Sequence, residues 1–209
     1  MASNSISAIK LPPPRYKGEV SVEDAIKKRR SCRSYLPNSL PRVYLSQILW
    51  AAQGITDDKG FHRSVPSAGA CFPLEVMVII GEGGVEGIPA GIYHYRPSQN
   101  DLELVLSGDF RSALARVAWE QSFIEETPVS LAVVADYRRT TRRYGERGIR
   151  YVHIDVGHVG ENVHLQAEAL GLGTVMVGAF DDQGVARVLN LSAEYSPLYI
   201  IPVGFGRKS

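Results

Sequence analysis

The sequence predicts an α+β domain, a layered fold with a central, mostly antiparallel sheet flanked by helices. Three observations predict it. Strand-like and helix-like segments do not alternate strictly, which disfavours a doubly wound parallel sheet. The segment GIYHY, the turn PSQN and the strand LELVL, within residues 91–106, read as a hairpin. Val156, Val159, Val163, Ala167 and Leu170 recur at spacings of three and four, giving one apolar face to a long helix from about Ile149 to Leu170.

Along the chain, residues 1–20 form an extended arm, because Pro12, Pro13 and Pro14 favour polyproline geometry and oppose a helix. The arm lies across the body or across a partner subunit. Ser21 is an N-cap, with Asp24 at the third helical position, for a helix from about Val22 into the basic stretch Lys27–Arg30. Pro37 and Pro41 bracket a turn. The next helix carries Ile48, Leu49 and Ala52, with Ser46 within it or near its cap. A long loop of small residues, TDDKGFHRSVPSAGACFP, precedes the strand LEVMVII. After the hairpin, Asp109–Ala118 and part of WEQSFIEE are helical, Pro128 ends that region, and VSLAVVAD is a second buried strand. RRTTRRYGERG leads into the long helix, whose Gly157 and Gly160 permit close approach of another helix and whose C′ residue is Gly171. TVMV is a short strand, VARVLNL a short helix, and LYIIPVG the last strand. No linker or repeat is visible, so residues 21–209 read as one domain.

With 209 residues, 44% hydrophobic and 22% charged, the chain is long enough for a sizeable core. A net charge of +1 gives no bulk argument for nucleic acid. The apolar runs are far too short to span a bilayer, and the N-terminus lacks a signal-peptide core. Two cysteines, Cys32 and Cys71, without metal-site spacing suit the cytoplasm and its reducing conditions.

Local clusters therefore carry the functional reading. KKRRSCR puts five basic residues over Lys27–Arg33. Its readings are a solvated surface, a phosphate site built on arginine forks, or nucleic-acid contact without a supporting motif. RRTTRR at Arg138–Arg143 is a surface face or a lid over an anionic ligand. The loop PSAGA at Pro66–Ala70 is an ordinary turn or a backbone that a planar ligand approaches closely. Neither GLGTVMVG nor GEGGVEG makes a dinucleotide fingerprint. The five histidines form no metal motif, and no serine has a nucleophile-elbow context. Asp155, His158 and Asn162 read as a polar stripe in or beside an interface.

Taken in order, RRSCRSY, PSAGACFP before a strand, DVGHVGENVHLQAEALGLG, TVMVGAF and the ending PVGFGR resemble the nitroreductase family of flavoproteins, and within it the branch of SagB-type dehydrogenases. The resemblance spans residues 21–207. It implies a homodimer with two FMN sites at its interface, and electrons passing from NADH or NADPH through flavin N5 to a nitroaromatic, quinone or related acceptor. The branch also implies a second reading, an FMN-dependent dehydrogenase of an organic substrate such as a peptide azoline. A third is a flavin-binding protein with little turnover. No nucleic acid, membrane or metal is implied.

By the same resemblance, Arg29, Arg30, Ser31 and Arg33 match the flavin-binding segment. Arg29 and Ser31 meet the phosphate or ribityl chain, and Arg33 supports the reduced flavin at its pyrimidine edge. Gly206 and Arg207 complete the phosphate site. Pro66, Ser67, Ala68 and Gly69 match the loop lent by the second subunit. Gly178 and Ala179 match the segment whose backbone faces flavin N4 and N5. The chain has Ala70 and Phe72 where Asn and Gln are common, and Gly178 where Glu is common. Tyr93, Tyr95, Tyr144 and Tyr151 are expected around the acceptor pocket.

Overall fold

A computed structural model describes residues 8–207. The first seven residues of the expected arm lie outside that range. The elements are β1 (Ile9–Lys10), α1 (Val22–Lys28), α2 (Arg42–Gln53), β2 (Leu74–Ile80), β3 (Gly91–Arg96), β4 (Asp101–Ser107), α3 (Arg111–Val117), α4 (Phe123–Glu126), β5 (Val129–Ala135), α5 (Arg138–Tyr144), α6 (Arg147–Ala169), β6 (Gly173–Thr174), α7 (Asp182–Val188) and β7 (Ser196–Gly204); the helix over RRTTRR and the short strand in the arm add to the expected order, and of TVMV only Thr174 lies in a strand. The strands form one sheet in the order β1-β4-β3-β2-β5-β7-β6, and every ladder in it is antiparallel.

The sheet is covered on both faces. In β5, alternation with period two sends Val129, Leu131, Val133 and Ala135 into one core layer and Ala132 and Val134 into the other. The first layer packs Ile48 and Leu49 of α2 against Val152, Val159 and Val163 of α6. The second packs Leu114 of α3 and Val185 of α7. A strand buried on both faces reads as a continuous apolar run, as VSLAVVA does.

Local signals operate as expected at several ends. Ser21 Oγ accepts from Asp24 N at 3.1 Å and caps α1. Gly171 takes φ +71°, while Leu172 N donates to Ala167 O and Gly171 N to Glu168 O, so α6 closes with a Schellman motif. The arm lies on the body: β1 pairs with β4, and Arg15 N donates to Gln47 Oε1 of α2 at 2.8 Å. One expectation needs correction. A Cβ at Gly160 would meet Met176 Sδ at 3.1 Å and the Tyr199 ring at 3.2 Å, so that glycine admits the β6–α7 connection and β7 rather than a helix. Gly157 faces open space. Among the described residues, no helix is long and apolar enough to cross a membrane.

Candidate functional site

The basic segment after α1 runs along the end of the sheet. Ser31 makes a parallel bridge to Thr174 of β6, and Tyr35 an antiparallel bridge to Gly206. Cys32 N donates to Thr174 O at 2.9 Å, and Arg207 N donates to Ser34 O at 3.0 Å. Arg207 Nε adds a bond to Tyr35 O at 2.9 Å, which leaves the two terminal nitrogens of its fork for another acceptor. From α6, His164 Nε2 donates to Arg30 O at 3.1 Å. Close packing sets this junction. A Cβ at Gly173 would lie 2.6 Å from Cys32 Sγ, and one at Gly206 2.9 Å from the same atom. Tyr35, 1% exposed, donates its hydroxyl to Cys32 O at 2.7 Å and staples the segment from below. Burial pushes its phenol far above the ordinary tyrosine range; Cys32 adds to this and Arg33 opposes it.

This junction brings Arg29, Arg30, Ser31 and Arg33 together with Gly206 and Arg207. Arg30 Nη1 is already bonded to the carbonyls of Lys27 and Arg29, so it caps the end of α1. Among the described residues, no carboxylate lies within ion-pair distance of Arg29, Arg33 or Arg207. Arginines in this segment that have no carboxylate partner among the described residues can take a phosphate.

The loop Pro66–Gly69 lies elsewhere, against the N-terminal half of α6. Ser67 Oγ donates to Asp155 Oδ2 at 2.7 Å and accepts from Phe72 N at 3.0 Å. Asp155 is 3% exposed. Burial raises its carboxyl above the ordinary range, against the Ser67 hydroxyl, the Ala68 N–H and His158, which pull it down. With Tyr151, Ile154 and His158 these residues frame a cleft of about 290 Å³. The backbone here is unusual: Gly69, Ala70 and Phe72 all take left-handed φ, at +59°, +52° and +43°. Glycine suits this position on two counts, since L side chains rarely adopt its φ and a Cβ there would meet the outer ends of the Tyr144 and Arg143 side chains.

Gly178 and Ala179 form a third, exposed piece just after the bridge from Val177 to Ile200. Gln121 Nε2 fixes it by donating to Ala179 O at 2.9 Å. Of the four tyrosines expected near a pocket, Tyr144 and Tyr151 are half-buried beside the Gly69 loop, their rings edge to face at 5.1 Å. Tyr93 and Tyr95 are not pocket residues. They are 2% and 1% exposed, pack in the core, and donate to Pro89 O and Asn100 Oδ1. Their strand alternates with period two, which puts both rings on the inner face.

Sequence reasoning missed a network behind the loop. Glu75 of β2 accepts from His94 Nε2 at 3.1 Å and pairs with Arg139 at 2.6 Å. Arg139 also donates to Phe72 O and to the Tyr195 hydroxyl. Burial pushes the Glu75 carboxyl up, but the His94 and Arg139 hydrogen bonds outweigh it and hold the carboxyl below the ordinary range. Arg143 donates to Gly69 O at 3.1 Å. Two arginines of RRTTRR therefore grip the backbone of the small-residue loop.

Within one chain, the two main pieces do not meet. Asp155 anchors the loop and His164 anchors the arginine segment, so they sit about 13 Å apart along α6 at 1.5 Å per residue.

A model of the nitroreductase family matches residues 26–205. A protein of Methanocaldococcus jannaschii that bears a nitroreductase name is 47% identical over 186 residues, 89% of this chain and 91% of its own. The microcin B17-processing protein McbC of Escherichia coli is 27% identical over 74% of this chain; the match spans 58% of McbC. The crystal structure of a Ralstonia eutropha protein that bears a nitroreductase name aligns with a TM-score of 0.83 at 27% identity, over 97% of this chain and 90% of that one.

Proposed function

The chain belongs to the nitroreductase family, and from that premise we propose that it is an FMN-dependent oxidoreductase, working as a homodimer, that takes a hydride from NADH or NADPH and passes it to a nitroaromatic, quinone or related acceptor. What supports this reading is the sheet-edge junction, where the backbone of the Arg29–Arg33 segment runs beside Thr174 and Gly206–Arg207, packed so closely that a Cβ at Gly173 would lie 2.6 Å from Cys32 Sγ.

The residues fit FMN. Arg29, Ser31 and Arg207 hold the phosphate and ribityl chain, Gly206 lets the chain approach closely, and Arg33 reaches the pyrimidine edge. Arg30 contributes mainly by setting the direction in which the segment leaves α1. The loop Pro66–Gly69 of a second copy covers the ring. Its Ser67 hydroxyl is committed to Asp155, so the loop offers backbone rather than side chains. This suits a chain with Ala70 and Phe72 where the family commonly has amides. Gly178 and Ala179 present backbone held by Gln121. Bound FMN supplies the two-electron chemistry, and the protein supplies position, charge and exclusion of water. The pieces lie about 13 Å apart along α6, and a second copy joins them.

The test is direct. Purified protein is denatured, the released chromophore is chromatographed, and the native protein is mixed anaerobically with NADH and with NADPH while flavin absorbance is followed. FMN released stoichiometrically and bleached by a nicotinamide donor supports the reading. FAD, or no flavin after reconstitution, refutes it.

One observation favours a second reading, dehydrogenation of an organic substrate such as a peptide azoline. McbC, whose name assigns it to microcin B17 processing, is 27% identical to this chain. Under that reading the protein bleaches slowly with either nicotinamide and rapidly with an azoline-bearing peptide.

A further inference from the structure

Four arginines crowd the turn between α5 and α6, at Arg142, Arg143, Arg147 and Arg150, and all are exposed. Among the described residues none is within ion-pair distance of a carboxylate. They are not randomly splayed. The Arg143 guanidinium lies 5.4 Å from the Tyr144 ring centre, and the Arg147 guanidinium 5.9 Å from the Tyr151 ring centre. The two rings meet edge to face, so the side chains form a ladder of guanidinium, phenol, phenol and guanidinium. Arg150 sits one turn from Arg147 on the face that carries Tyr151 and Ile154.

One end of this ladder touches the flavin-covering loop, since Arg143 donates to Gly69 O. The rung next to Arg147, Tyr151, lines the cleft with Asp155 and His158. From Arg147 to Asp155 is about 12 Å along the helix. The ladder thus runs outward from the proposed redox centre and ends in unpaired cations. Tyrosine faces and guanidinium planes stack on purines, and arginine forks bind phosphate.

We propose that this arginine–tyrosine ladder binds the adenosine 2′-phosphate end of NADPH and makes NADPH the preferred donor over NADH. The proposal rests on the oxidoreductase reading above.

The holoprotein is titrated calorimetrically with adenosine 2′,5′-bisphosphate and with 5′-AMP, and its flavin reduction is followed with NADPH and NADH. The same measurements are made on an Arg147→Ala/Arg150→Ala variant. Both positions are exposed on a helix, where alanine is well tolerated. The expected result is that the bisphosphate binds at least about tenfold more tightly than 5′-AMP, matched by a similar NADPH preference, with both preferences collapsing in the variant. Equal binding of the two nucleotides, or preferences that survive the double substitution, overturns the proposal. Failure of both donors to reduce the flavin counts instead against the oxidoreductase reading, and the bisphosphate titration still judges the ladder.

Discussion

Arg139 Nη1 donates to the carbonyl of Phe72 at 3.1 Å, fixing a residue whose φ of +43° is strained for any side chain but glycine. A left-handed non-glycine residue costs about 1–2 kcal/mol and persists only where its surroundings over-determine it. Here the surroundings are the Arg139–Glu75 pair and the Ser67 hydroxyl that accepts from Phe72 N.

Arg139→Ala removes that support and strands a mostly buried carboxylate with His94 as its remaining partner. Urea unfolding should show a loss of about 2–3 kcal/mol at neutral pH, and the loop should gain proteolytic sensitivity. The pH dependence has a definite sign. Glu75 titrates below its unfolded value, so its contribution is present above the ordinary carboxylate range and is lost as pH falls through the lowered folded value. Without Arg139 that folded value rises toward the unfolded one, so Glu75's share of the acid destabilisation should shrink and the stability gap between variant and wild type should narrow as pH falls. A variant with wild-type stability between pH 4 and 7 would show that Arg139 does not support the loop.

Much of this was legible in the sequence because its cause is local. Ser21 before an apolar-periodic run, Gly171 after one, and the three-and-four spacing from Val156 to Leu170 each act within a few residues. The same holds for the antiparallel sheet, which the hairpin and the non-alternating order foretell. Arg139 was opaque for the opposite reason. Nothing in RRTTRR distinguishes the arginine that pairs with Glu75 from the one beside Gly69 or the exposed one between them; only the placement of β2 against α5 does. Tyr93 and Tyr95 misled in another way. They were expected around an acceptor pocket, but their places on β3 bury both rings in the core.

Gly173 tests the junction itself. An added methyl would lie 2.6 Å from Cys32 Sγ and 2.8 Å from Cys32 Cβ, distances that require a shift. Gly173→Ala should cost about 1–3 kcal/mol by overpacking and push the Ser31–Arg33 segment off the sheet edge, weakening FMN binding in fluorescence titration. Removing the nearer atom as well, in Gly173→Ala/Cys32→Ala, should restore part of the affinity. If Gly173→Ala binds FMN as the wild type does, the segment's seat on β6 is irrelevant to the cofactor.

Gly157 tests the need for a second copy. It sits on the exposed face of α6 between Ile154, 48% exposed, and Glu161, and among the described residues nothing lies within 4 Å of a Cβ built there. Gly157→Ala on a free helix face should stabilise the protein by about 0.5–1 kcal/mol. On a packed interface a large charged side chain should be intolerable, so Gly157→Arg should yield a monomer by light scattering and lose FMN at the same time. A Gly157→Arg protein that is dimeric and yellow would remove this face from the interface.

Arg33 and Arg207 separate two uses of positive charge. Two-electron reduction of FMN builds negative charge on the pyrimidine edge of the ring, whereas the phosphate carries its charge in both redox states. A cation at the edge therefore stabilises the reduced form selectively, and a cation at the phosphate stabilises both equally. Arg207 is tied through Nε to Tyr35 O, which aims its terminal nitrogens from a fixed base and suits a holding role. Arg33 is exposed and unpaired among the described residues, free to follow a ring. Arg33→Ala should then lower the midpoint potential of flavin-saturated protein; a loss of ~1.4 kcal/mol in the reduced state corresponds to about 30 mV for two electrons. Arg207→Ala should raise the dissociation constant for FMN while leaving the potential of the loaded fraction near the wild-type value. Redox titration of both variants at saturating FMN makes the comparison. If Arg33→Ala keeps both its potential and its rate of reduction, Arg33 does not act on the ring, and its charge belongs with Arg29 at the phosphate.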